Sequence, residues 1–152
     1  MQMRNLEMFE MLKKEQLKGT CYFEILPKKY ENIHWNASSV YFREETFLFF
    51  ESIIYKIAPE YSNYGHWGIT LLDKECILLL CEHIKILSDK VKTATTFKDI
   101  INDKKIVTID AENIFSKDFE KSRVALLKAL NDFEAWLLTN SERSDTITIL
   151  GI

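Results

Sequence analysis

The residues of this chain whose types could carry chemistry are few: three histidines, three cysteines, and acids near some of them. Cys76, Cys81 and His83 invite a reading as a soft-metal cluster. Positions five apart on a helix lie about 140° round its axis, so Cys76 and Cys81 cannot converge on one tetrahedral ion unaided. Buried thiols acting as small apolar groups account for them better. His83 sits at the boundary of the same apolar arc, beside Lys90, where a structural role is the ordinary one. Glu31 and His34 form a single E-x-x-H, whereas di-iron bundle sites need two such motifs and two further glutamates. The chain has no Gly-rich phosphate loop, no G-x-S-x-G and no C-x-x-C. No catalytic residue, metal or cofactor is therefore expected.

Two groups of residues suggest contact instead of catalysis. The stretch YSNYGHWGIT, residues 61 to 70, holds two of the four glycines, Gly65 and Gly68, among Tyr61, Tyr64, His66 and Trp67. Glycine permits backbone angles that the ring residues adopt only at a cost, so the chain can bend and turn its rings to one side. Its connection, about fifteen residues long if it runs from helix to helix, is of a length that tends to be functional or well packed. The second group is Tyr41, Leu48 and Tyr55, seven apart, flanked by Glu44, Glu45 and Glu51. On a helical wheel they form a stripe of ring, leucine and carboxylate opposite the core, suited to a cationic protein partner. The alternative is that another part of the chain covers this stripe and makes its helix the central one.

These residues need elements to position them. Leu6, Phe9 and Leu12 predict a helix over 4–17, ending at Gly19. CYFEIL, 21–26, predicts a short strand at an edge, and 28–38 a loop carrying Tyr30, His34 and Trp35. Residues 40–58 predict a strong helix stopped by Pro59, with Phe42, Phe47, Phe49, Phe50, Ile53, Ile54 and Ile57 on one arc. A helix follows over 74–92 with Asp73 as N-cap, and another over 117–139 with Ser116 as N-cap. KIVTI, 105–109, and TITIL, 146–150, alternate as strands do. The expected architecture is a single α+β domain over 1–152. It is mostly helical, with about four helices packed against a small sheet of short strands.

The totals are consistent with this. Of 152 residues, 47% are hydrophobic and 28% charged, enough apolar material to bury a core. A formal charge of −3 provides no basic field for nucleic acid. The opening MQMRNLEMFEMLKKEQ is too evenly charged for a secretory signal, and no apolar run is long enough to span a bilayer. An odd number of cysteines without short spacing points to free thiols and a cytoplasmic setting.

Over about residues 40–90, the order of an acidic aromatic helix, Y-x-x-Y-G-H-W-G-I-T and an amphipathic helix resembles small bacterial immunity proteins. Those proteins accompany polymorphic toxins, including contact-dependent growth inhibition systems. The resemblance implies a cytoplasmic monomer or weak dimer that binds the C-terminal domain of a cognate toxin, a cationic nuclease, and blocks its cleft. Residues 40–90 hold eight acids against five bases, in keeping with such a partner. Glu44, Glu45 and Glu51 would pair with the toxin's basic residues, and Tyr41, Tyr55, Tyr64 and Trp67 would fill the cleft, with Leu48, Tyr61 and His66 beside them. Two other functions fit the same residues: a small hydrolase using His66 with Glu60 or Asp73, or a homodimeric scaffold.

Overall fold

The computed structural model describes residues 9–59, 61, 68–101 and 109–151. In chain order its elements are β1 (Phe23–Leu26), β2 (Val40–Phe42), α1 (Glu44–Ile57), β3 (Ile69–Asp73) and α2 (Lys74–Thr93). Then come α3 (Phe97–Ile100), α4 (Ile109–Lys117), α5 (Phe119–Ser141) and β4 (Thr146–Leu150). This is the α+β, mostly helical fold that the sequence predicts. The four strands form one antiparallel sheet in the order β2-β1-β4-β3, so the last strand enters beside the first.

Strand alternation divides the sheet into two faces. Phe23, Ile25, Val40, Phe42, Leu72, Ile147 and Ile149 point to the helices and join one continuous core with α1, α2, α4 and α5. Aromatic rings fill its centre. Phe23 stacks on Phe47 with ring centroids 4.0 Å apart, and Phe133 meets Phe42 and Phe50 edge-on, at 4.8 Å in each case. α2 lies along α5, and its start agrees with the sequence reading: Asp73 accepts from the backbone N–H of Cys76 at 2.9 Å. β4 likewise matches its predicted span.

Elsewhere tertiary pairing overrides local pattern. The described part of the expected first helix, from Phe9 on, forms no α-helix: it is irregular, with a single bridge at Leu12 and one 3-10 turn over Lys14–Gln16. Leu12 exchanges two backbone hydrogen bonds of 2.9 Å with Tyr41 and closes the free side of β2. Phe9 and Leu12 look like one helical face but enter different clusters. Phe9 packs on Phe49 and Phe115, and Leu12 packs with Tyr22 and Tyr41. The helix expected from residue 40 starts at Glu44, because Val40–Phe42 pairs with β1. β1 itself is central, flanked by β2 and β4, and not the predicted edge. The helix expected over 117–139 is present as α5, begun two residues later, and its cap is Asp118, which accepts from Lys121 N–H; Ser116 instead donates to the carbonyl of Asn113. Most of the predicted strand 105–109 lies outside the described residues, and Ile109 opens a helix.

Candidate functional site

The stripe on α1 is not an exposed surface. Tyr41 belongs to β2, so the seven-residue spacing that linked it to Leu48 and Tyr55 does not describe one helix face. Tyr41, Leu48 and Glu51 are all buried, at 0%, 3% and 2% exposure, and α1 is apolar nearly all round because it is the central helix. Glu51 receives a hydrogen bond from the Tyr61 hydroxyl at 2.5 Å. Burial first, then this bond and the charge of Glu51, push the Tyr61 hydroxyl far above its ordinary pKa. Tyr55, half-buried and edge-on to Tyr61, shifts upward for the same first reason and then through Glu51. Tyr61, expected at a partner surface, is thus 1% exposed and holds an internal carboxylate. Glu44 and Glu45 remain partly exposed at the start of α1.

Tyr64, His66 and Trp67 lie outside the described residues, as does Glu60. Asp73, the other acid considered beside His66, is engaged as the cap of α2. The chain that follows them corrects the fifteen-residue connection: Ile69–Asp73 is a strand, and Ile69 and Leu71 are exposed at 42% and 45%.

A feature that sequence reasoning passed over lies on the outer face of the sheet. Glu24 points there beside Tyr41 and Leu150, its partners across the ladder, and is 2% exposed. Its carboxylate accepts from the backbone N–H groups of Trp35 at 2.7 Å and Asn36 at 3.0 Å. It also accepts from the Asn36 amide at 2.9 Å and the Ser39 hydroxyl at 2.6 Å. Burial acts to raise its pKa and is the largest single influence. The donors from Ser39, Asn36 and Trp35 together outweigh it, so the carboxyl lies below its ordinary value. Tyr41 donates to the Asn36 carbonyl at 2.6 Å and stacks against the Trp35 ring.

This cage fixes the loop between β1 and β2 over the outer face. Trp35 and Asn32 have φ of 62° and 65°, the left-handed region that non-glycine residues enter at a cost of about 1–3 kcal/mol. The bond that Trp35 N–H donates to Glu24 holds that conformation, and Thr148 of β4 donates to the Lys28 carbonyl at 2.8 Å at the other end. Ile33 is 62% exposed at the top, beside Tyr30 and His34, which share a 3.0 Å hydrogen bond. Thr148 pairs with Leu71 across the ladder, so the fixed loop and the exposed residues of β3 share one face. The only sequence signal for this was an acid within a short strand, flanked by phenylalanine and isoleucine.

Among the described residues, no three of His, Cys, Asp and Glu converge as metal ligands would. Cys76 donates weakly to the Ile57 carbonyl, and Cys81 is buried. Burial first, then the charge of Glu134, pushes the Cys81 thiol up to about 11. In a native thiol titration the exposed Cys21 should therefore react at once, and Cys81 only on unfolding. Cys21→Ser should abolish the fast phase; rapid labelling of Cys81 would contradict this packing.

No helix among the described residues is long and apolar enough to cross a membrane. Comparison of the chain with family models, curated proteins and solved structures returned no match.

Proposed function

We propose that this protein is a cytoplasmic inhibitor of the immunity type, which binds a cognate toxin domain stoichiometrically, blocks its cleft and performs no catalysis of its own. The observation that supports a binding role is the outer sheet face, where Ile69, Leu71 and Ile33 are exposed around a loop held by a buried carboxylate. Apolar anchors on a surface already fixed in shape lose little entropy on association. Contact moves from the closed stripe to this face, with Tyr30 and His34 beside the anchors. Glu44 and Glu45 are the acids of the original set that stay partly exposed, and their charge would steer a cationic nuclease.

The test begins with affinity capture from the native bacterium and continues with the purified toxin domain. Ile33→Asp/Leu71→Asp should weaken binding by about a hundredfold while leaving the circular dichroism and melting temperature nearly unchanged. Glu44→Lys/Glu45→Lys should mainly slow association and reduce its salt dependence. No stoichiometric partner, or one bound equally by the Ile33/Leu71 variant, would sink this reading.

A second reading is self-association through β3. Gly151 donates to the Gly68 carbonyl at 2.9 Å, which sets the ladder so that Thr70 and Leu72 face β4. The backbone groups of Ile69 and Leu71 then point to the outer edge, a template for strand pairing. A concentration-dependent mass in sedimentation equilibrium, abolished by Leu71→Lys, would favour it.

A further inference from the structure

The cleft between α1 and α2 is a second site, remote in sequence from the loop and independent of the immunity reading. α1 contributes Phe49, Ser52, Ile53 and Lys56, and α2 contributes His83, Ile86, Leu87 and Lys90. Both sets follow the i, i+3, i+4, i+7 spacing that puts four side chains on one helix face, so the two faces line one cleft. Ile100 and Ile101, at and just past the end of α3, close it. Its floor is apolar, with Phe49 and Ile53 at 2% and 8% exposure. Its polar groups are Ser52, two ammonium groups and an imidazole. Neither lysine nor His83 has a hydrogen-bond or ion-pair partner among the described residues. Glu45, one turn earlier on the same face of α1, is not among the lining residues.

We propose that this cleft binds a small organic anion: an aromatic or branched apolar body carrying one carboxylate or phosphate monoester. The cavity measures about 160 Å³, close to the roughly 150 Å³ of an engineered apolar cavity that takes up benzene. It is too small for a helix or a peptide loop. The apolar body rests on Phe49, Ile53 and Leu87. The anionic head accepts from Lys56, His83 and Lys90, whose donors supply charge-assisted hydrogen bonds that no other group among the described residues takes up. The lysine stems extend along the apolar walls and bring their charges to the mouth. His83, unremarkable as a boundary residue in the sequence, acquires a role from the helix opposite it.

The test uses the full chain, isotope-labelled, with benzoate, phenyl phosphate and the neutral benzyl alcohol as probes. Either anion should produce saturable amide shifts at Ser52, His83 and Lys90. Which binds more tightly distinguishes a carboxylate ligand from a phosphate ester, and both results support the site. Benzyl alcohol should bind at least about tenfold more weakly, and so should the anions to Lys56→Met/Lys90→Met, through lost charge-assisted bonds. Both lysines are exposed, so this variant should keep the wild-type fold, checked by its spectrum. The proposal is overturned by unsaturable shifts with both anions, by alcohol binding as tight as benzoate, or by unchanged affinity in the double variant.

Discussion

Glu24→Ala should destabilise the protein by about 2–4 kcal/mol and free the loop between β1 and β2. The substitution removes one side chain but leaves four donors facing a buried space, on Trp35, Asn36 and Ser39. It also releases Trp35 from its left-handed conformation, which offsets part of the loss. Amide exchange should rise at Trp35 and Asn36 while the amides of α2 and α5 stay protected at their own, merely lowered, level. Persistent protection of Trp35 N–H in the variant would show that the loop does not depend on the carboxylate. The pH dependence follows from the same group. Its folded pKa lies below the ordinary value of a glutamate side chain. Its contribution is therefore complete above that value and lost as pH falls through the lower, folded one. Between those two limits the wild type should lose stability that Glu24→Gln never had, so urea midpoints of the two should converge in acid. If their separation stays constant down to strongly acid pH, the carboxylate is not the group responsible.

Phe133→Ala should cost about 3–5 kcal/mol, a large part of the roughly 5–15 kcal/mol that holds a domain of this kind together. Phe133 is 1% exposed and touches Phe42 of β2, Phe50 of α1 and Trp136 of its own helix. It is where sheet, central helix and α5 meet, so the cavity cannot collapse by moving one neighbour. At about 2–4 °C per kcal/mol for a chain of this size, the midpoint of thermal unfolding should fall by about 6–20 °C. Phe133→Leu, which keeps most of the volume, should recover more than half of that. A loss under about 1 kcal/mol for the alanine variant would mean that this ring cluster is not packed as described.

Helices with long apolar arcs were legible because each repeats its signal over several turns. Residues 74–92 repeat Ile77, Leu80, Ile84 and Val91 behind a capping Asp73, and α2 runs over nearly that span. Where the signal is only three or four residues long, neighbours decide. Phe42 falls on the apolar arc of α1, yet hydrogen bonds from β1 and from Leu12 make VYF at 40–42 a strand. That one change moved Tyr41 off the helix and closed the expected contact stripe. ITLLD at 69–73 became a strand for a similar reason: β4 returns from the end of the chain to pair with it. Spacing finds residues that share a face. It cannot tell whether that face meets solvent, because burial depends on elements distant in the chain.

What the sequence determined by itself was local and additive: the cap at Asp73, the alternation of TITIL, the apolar stripes of α2 and α5, and enough apolar material for one core. What only the tertiary structure decided was pairwise and long-range. Glu24 is eleven residues or more from the donors that surround it. His83 and Lys56 line one cleft only because α1 and α2 pack together. Such contacts leave no periodic trace, since neither partner's own neighbours in sequence reveal where the other will be.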